Sequence, residues 1–432
     1  MLRISVRRII TTAALLLVSV WAFAQTDGTY VGYSPYSVYG IGNLHNGGTA
    51  WNRGMGGIGI ATRNKRFVNT MNPASVTARD SLSFMSDYTV NSRMSLFREG
   101  DKNGFNTTFN LENFVISFPM WKNSAFMAGL SPFSDVGYSI TDYEVDYYTN
   151  YRTFQTSGNG GLYQVFAGAA YTLWNRLSIG VQGNYIFGNI NKKASTTNTD
   201  SSFMDFATGD SLQVNNFNFK AGIQYEQPVS TKSYITLGAT YRLSTPFGGH
   251  RIHYMQNGSY SRTREEVNIR EKDKLYLGEE IGAGLSFRNS DVWSAEVNYI
   301  RSNWTNSGFS AVPGFSNEGE SVNFTSGIGQ AIRAGFEITP NRNDIRYFFK
   351  RCTYRAGAYF DSSYYMVNGS HINTIGLSLG MTLPVFRWYN GLTVGVDMGR
   401  RGLSGNDVKE TYIGFNLGMN MFDIWFKKPR YE

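Results

Sequence analysis

Near its end the chain settles into strict two-residue alternation. Thr411, Ile413, Phe415, Leu417, Met419 and Met421 fall on one face, and Tyr412, Gly414, Asn416, Gly418, Asn420 and Phe422 on the other. Successive side chains of a strand point to opposite faces. The segment therefore sets an apolar row against a row of glycine, amide and aromatic residues. The pattern recurs in Ile375, Leu377, Leu379, Met381 and Leu383 against Thr374, Gly376, Ser378, Gly380 and Thr382. It recurs again around Leu392–Gly399 and Leu177–Phe187. A soluble β-sandwich would need a second apolar face to cover these rows, and the sequence supplies none. Lipid outside and a wet or plugged lumen inside fit the pattern.

About fourteen such segments are expected, near 81–95, 105–119, 124–141, 160–174, 176–190, 211–226, 233–246, 277–288, 291–304, 327–339, 350–361, 371–384, 391–400 and 409–423. The number is even, as a single-chain bacterial barrel requires. Short turns at Trp121–Asn123, Asn175, Asn289–Ser290 and Phe386–Asn390 alternate with long polar connections at 142–159, 191–210, 247–276 and 305–326. Short periplasmic turns and long outer loops are the rule for such barrels. The composition agrees: 47 glycines and 58 tyrosines plus phenylalanines in 432 residues, with 17% charged against roughly 25% in soluble chains. Past residue 24 no run of about 18 apolar residues occurs, which excludes a helical membrane protein. The expected fold is an all-β transmembrane antiparallel barrel of about fourteen strands with an N-terminal plug.

Export is written at the start. Arg3, Arg7 and Arg8 precede the apolar Ile9–Val20, and Ala22-Phe23-Ala24 forms a cleavage site before Gln25. The run is too short for a membrane anchor. Removing its three arginines lowers the formal charge from +8 to +5, which calls for no nucleic acid. The single cysteine, Cys352, excludes an intrachain disulfide. The expected organisation is a signal peptide over 1–24, a plug or hatch over 25–79, a barrel over 80–426 and a basic periplasmic tail over 427–432. The expected location is the bacterial outer membrane.

The plug segment lacks strand alternation. Gly54, Gly56 and Gly59 match a dinucleotide fingerprint in spacing, but no strand and helix flank them as that motif requires. With Gly57 they instead let the backbone pass close to the inner wall, followed by Asn72, Pro73 and Ala74. Within the third strand, Ser131, Pro132, Phe133 and Gly137 should kink the chain, because proline donates nothing to a β ladder. Two readings stay open there, a bulge that relieves curvature and an opening in the wall.

Alternation turns Lys220, Glu280, Glu296, Arg333, Glu337, Arg355 and Asp397 inward. A lysine or arginine facing lipid at midplane costs about 2–4 kcal/mol. One reading is a salt-bridged network that fills the lumen. The other gives a substrate carboxylate to Arg333 or Arg355, with Tyr33, Tyr36, Tyr39 and Met55 as apolar lining.

The Asn72-Pro73-Ala74 element, the glycine run, the break at Ser131-Pro132-Phe133 and the strand number together resemble the FadL-type family of outer-membrane transporters of long-chain fatty acids and aromatic hydrocarbons. Trp293–Tyr299, Ala334–Glu337 and Asp423–Lys428 are similar to Bacteroidetes-type members. The resemblance implies a fourteen-stranded barrel, an N-terminal hatch and lateral exit of substrate at the third-strand kink. The chain departs from it by ending Lys428–Glu432 beyond the terminal aromatic.

Two functions are expected from these residues. One is passive uptake of a hydrophobic, fatty-acid-like molecule that leaves through the wall near Pro132–Gly137. The alternative is a non-transporting subunit of an outer-membrane machine for protein export or barrel assembly. Partners are then outer-membrane lipid, a hydrophobic small molecule or other envelope proteins. No enzyme, metal or cofactor is expected, and His250 and His253 sit in a loop. The first function requires an apolar cavity reaching the third-strand break. The second requires a sealed lumen and an exposed apolar or aromatic patch.

Overall fold

The computed structural model describes residues 30–424 apart from 31, 80–81, 146–150, 200–202, 258–260, 313–322, 386–389 and 403–407. The expected signal peptide, 1–24, and the expected basic tail, 427–432, lie outside the described residues. Fourteen antiparallel strands close into one barrel. They begin with β1 (Ser83–Glu99), β2 (Lys102–Pro119), β3 (Ser124–Val145), β4 (Tyr151–Leu173) and β5 (Leu177–Asn198). Next come β6 (Phe206–Pro228), β7 (Ser233–Arg242 and Gly248–Asn257), β8 (Ser261–Asn268 and Glu279–Asn289) and β9 (Trp293–Asn303). The last are β10 (Phe324–Ser326 and Ile328–Ile338), β11 (Thr353–Val367), β12 (Ser370–Leu383), β13 (Gly391–Gly402) and β14 (Val408–Ile424). Closure joins β1 to β14 over seventeen register pairs, from Ser83↔Ile424 to Glu99↔Val408. No edge is left there.

The apolar rows face outward as the alternation requires. Ile375, Leu377 and Leu379 are more than half exposed, while the opposite Ser378, Arg355 and Asn416 are buried. The outer connections differ from expectation. The 142–159 and 191–210 stretches are largely strand, and 247–276 contains the hairpin of Gly248–Asn257 and Ser261–Asn268. Above the bilayer no lipid selects an apolar row, so a ladder can continue there without the hydrophobic alternation that marks it in sequence. Above the membrane this part of the wall stands up as a raised sheet.

Candidate functional site

A seam in the wall lies between β2 and β3. β2 and β3 pair only from Phe114↔Leu130 to Pro119↔Ala125. Beyond that level a bulge sits on each side. In β2 the register jumps from Thr89↔Asn113 to Val90↔Leu111, leaving Glu112 as the extra residue. In β3 it jumps from Pro132↔Tyr163 to Ser134↔Leu162, leaving Phe133. The bulge expected at the kink is present, and pairing between the two strands stops beyond it. β3 swings inward, and every residue from Pro132 to Tyr138 is buried regardless of parity.

The N-terminal segment covers the edge that β3 exposes. Asn43 and Leu44 pair antiparallel with Asp135 and Ser134. His45 N donates to Phe133 O at 2.9 Å, and Ser34 N to Gly137 O at 2.8 Å. The Gly137 amide finds Ser37 Oγ at 3.0 Å, and the Ser139 amide finds the Tyr33 hydroxyl at 3.3 Å. Buried backbone groups without such partners would destabilise the fold.

His45 spans the seam. Its Nδ1 lies 3.2 Å from Glu112 Oε1 on β2, and its Nε2 lies 2.6 Å from Asp135 Oδ2 on β3. Arg53 also pairs with Glu112. Burial pulls the imidazole pKa down, but the two carboxylates outweigh it and push it up to about 9. Doubly protonated, the ring donates to both strands at once. The support it gives is complete below its ordinary value of 6.5 and is lost as pH rises through about 9. In histidine-labelled protein in micelles, the His45 ring carbon is expected to titrate near pH 9. A midpoint below 7 would refute the bridge.

Further along, the segment is bonded to the inner wall. Glu296 accepts from the amides of Gly59 (3.1 Å) and Ala61 (2.9 Å) and from the Thr62 hydroxyl. Glu337 accepts from Trp51 Nε1 at 2.6 Å and Arg355 Nε at 2.8 Å. Arg333 donates to Gly56 O at 3.1 Å and to both oxygens of Asp361. Asn72 caps the turn Pro73–Thr77 by accepting from Ala74 N, and its amide reaches Ile60 O at 2.7 Å. Gly54 ends the four-residue helix Ala50–Arg53, and Gly56 and Gly57 turn the chain at φ of +72° and +74°. The remaining inward charges pair within the wall, Lys220 and Arg242 with Glu280 and Tyr359 with Asp397.

Glycines of the wall set how closely the segment approaches. A Cβ at Gly238 would fall 2.2 Å from Ile60 O, one at Gly222 2.0 Å from Asn72 Oδ1, and one at Gly180 2.6 Å from Ala74 N. Real Cβ contacts do not come so close, so the contact requires glycine.

The residues expected to bind substrate do not form one pocket. Tyr36, whose hydroxyl bonds Val408 O, and Tyr39, stacked on Phe324 at 5.5 Å, belong to an apolar cluster. Met55 is fully buried against Trp51, Ile58 and Phe67. Arg333 and Arg355 already hold carboxylates. Two cavities flank Asn43–Asn46. One, about 210 Å³, has Gln164, Gln182, Lys220, Arg242 and Glu280 on its walls and touches Ser131 and Phe133. The other, about 110 Å³, is bounded by Tyr33, Arg93, Glu112, Asp135, Arg333 and Arg401. The smaller is walled mainly by charged, amide and hydroxyl groups, whereas the larger also has Leu44, Met71, Phe166, Ile300 and Ile372 on its walls, in about even measure with the polar groups. The apolar volume beside the seam is packed instead with side chains, among them Phe133, Val136, Tyr138, Leu162, Trp304 and Tyr364.

Sequence patterns do not single out Trp51, His45, Arg53, Glu112 or Asp135. Asp135 carries a signal, a carboxylate inside the kinked Ser131–Tyr138 stretch. Glu112 carries none, because its bulge reverses the parity that alternation would assign.

The fold has solved counterparts. The Ralstonia pickettii toluene transporter TbuX superposes with a TM-score of 0.53 at 14% identity over 87% of this chain and 98% of that one. The Pseudomonas putida toluene transporter TodX gives 0.56 at 11% over 89% and 100%. A Pseudomonas aeruginosa FadL homologue gives 0.53 at 12% over 92% and 100%. At such identities the likeness is one of fold, and the FadL-type resemblance holds at that level. No curated protein matches the chain. The family model that matches carries a different name from these transporters, BamG, and spans residues 5–432. The chain belongs to the BamG family.

Proposed function

We propose that the protein is a sealed outer-membrane barrel that serves as a non-transporting subunit of an envelope machine for protein export or barrel assembly. The observation that carries this reading is the filled lumen. The N-terminal segment is hydrogen-bonded to the wall through Glu296, Glu337 and Arg333, and the space beside the seam is a packed apolar cluster. A site for a hydrophobic molecule would be concave and apolar, about 300–1,000 Å³. The cavities of about 210 and 110 Å³ are smaller, and neither has a predominantly apolar wall of the kind such a molecule needs. Membership of a family distinct from the named transporters points the same way.

A second reading is passive passage of a hydrophobic molecule, fatty acid or aromatic hydrocarbon, with lateral exit between β2 and β3. The seam favours it, because Ser131, Pro132, Phe133 and Gly137 lie where the two strands part. One experiment separates the two. The barrel is extracted from its native membrane in mild detergent, and co-purifying small molecules and proteins are identified by mass spectrometry. A fixed set of envelope proteins and no stoichiometric lipid supports the first reading. A stoichiometric fatty acid or hydrocarbon, lost when Phe133 is deleted to restore the register, overturns it in favour of the second.

A further inference from the structure

The connection between β10 and β11 stands apart from its neighbours at the same end of the barrel. It runs over residues 339–352, whereas turns 120–123, 174–176, 229–232 and 290–292 take three or four residues. It is also built. Asp344 Oδ1 accepts from the amides of Arg346 at 2.8 Å and Tyr347 at 2.6 Å, and Asn341 N donates to Lys350 O at 2.8 Å. These bonds lead into the short helix Phe348–Arg351.

The element leaves large apolar side chains bare. Ile345 is 100% exposed, Phe349 68%, Tyr347 49% and Phe348 38%. Cations sit on the same rings: Arg346 lies 5.4 Å and Lys350 4.7 Å from the Tyr347 centroid, and Arg351 lies 5.3 Å from that of Phe348. Position decides what covers them. Tyr354 faces out of the wall, in register with Ile338 and Met381, while Arg355 turns inward. The Tyr354 hydroxyl donates to Phe349 O at 3.0 Å. The helix therefore hangs on the lipid side of the wall rather than under the lumen. On the neighbouring strands of that wall Trp293 stacks on Phe287 at 5.1 Å between centroids and lies tilted against Phe336 at 6.0 Å. This is an aromatic girdle of the kind found at the bilayer boundary.

We propose that residues 342–351 dock onto the anionic phospholipid headgroups of the leaflet at this end of the barrel. Ile345, Tyr347 and Phe349 enter the headgroup–acyl boundary, and Arg346, Lys350 and Arg351 meet phosphates. Aromatic rings with an apolar body, and long cationic side chains beside them, are the chemistry that this layer takes. Juxtamembrane cations add attraction that scales with anionic lipid. The inference does not depend on either functional reading, because it concerns the outer face of the wall alone.

The test uses the full barrel in nanodiscs. Ile345→Cys is labelled with an environment-sensitive fluorophore, which is selective because Cys352 is buried. Ser230→Cys, in a short turn at the same end, is the reference. The label at position 345 is expected to shift to the blue in phosphatidylcholine and further when phosphatidylglycerol is added, and to be quenched by lipids spin-labelled near the headgroup. Replacing Arg346, Lys350 and Arg351 by glutamine should abolish the phosphatidylglycerol dependence while the heat-modifiable gel shift of the folded barrel persists. Emission equal to that of the reference, with no response to lipid, overturns the proposal. So does a blue shift seen only in native membranes, which would assign the element to a protein partner.

Discussion

Replacing Gly357 with leucine is expected to unseat the N-terminal segment and turn a closed barrel into an ion-conducting one. A Cβ at Gly357 would lie 2.2 Å from both Gly56 N and Met55 C, and one at the adjacent Gly335 would lie 2.4 Å from Met55 O. These are backbone atoms. Gly56 is held on one side by Ser378 Oγ and on the other by Arg333, so no side-chain rotation relieves the clash. Overpacking a tight site costs about 1–3 kcal/mol, which moves an equilibrium by roughly fivefold to 150-fold. The wall itself should survive, because the new side chain points inward and leaves the ladder to β10 and β12 intact. In planar bilayers the native protein should be silent and Gly357→Leu should show discrete openings. Gly414→Ala, whose Cβ would meet nothing closer than 3.7 Å, should remain silent. Silence of a correctly folded Gly357→Leu would mean that the segment reseats and the glycine contacts do not position it.

The glycine contacts also mark where the sequence stops being legible. Alternation locates the strands because lipid imposes an apolar row on each, and the inward register of Glu296, Arg333, Glu337 and Arg355 follows from the same parity. Pro132 marks the seam because proline breaks a ladder for a local reason. The N-terminal segment can be assigned to the lumen from its pattern but not traced there. Its path depends on which wall glycine meets which of its own backbone atoms, Gly238 against Ile60 or Gly357 against Gly56, and a single sequence does not encode those meetings in any period. The Glu112 bulge is invisible for a related reason. One extra residue changes parity without changing composition, and with it goes the Glu112–His45–Asp135 bridge. The raised hairpins of β7 and β8 escape an alternation reading because charges such as Arg264, Glu265 and Glu266 occupy both faces there.

The seam and the filled lumen pull in different functional directions, and the bonding of the segment arbitrates. β3 leaves β2 as a wall with a lateral opening would require. Yet the edge it exposes is taken up at once by Ser34, Asn43, Leu44 and His45. A molecule leaving there would have to displace a paired strand and a histidine held by two carboxylates. The same fold thus parts two wall strands and covers the edge this exposes with its N-terminal segment.

The largest loss of stability is expected from Arg355→Ala. Arg355 joins three parts of the lumen: Nε meets Glu337 at 2.8 Å, Nη1 meets Thr382 Oγ1 at 2.6 Å, and the guanidinium lies 4.8 Å from the Phe67 ring centroid. Removing it leaves the Glu337 carboxylate buried without its guanidinium partner, still accepting from Trp51 Nε1. Breaking a buried pair in this way costs about 3–5 kcal/mol, whereas replacing both members is often close to neutral. Glu337→Gln with Arg355→Gln should accordingly recover most of the loss, since the amides still serve Trp51 and Thr382 without leaving a bare charge. Urea unfolding of the refolded barrel in micelles, followed by tryptophan emission, reads both variants. Equal losses in the single and double variants would point away from the charge pair. They would show instead that the guanidinium stabilises the segment chiefly by stacking on Phe67, where glutamine offers no planar cation to take its place.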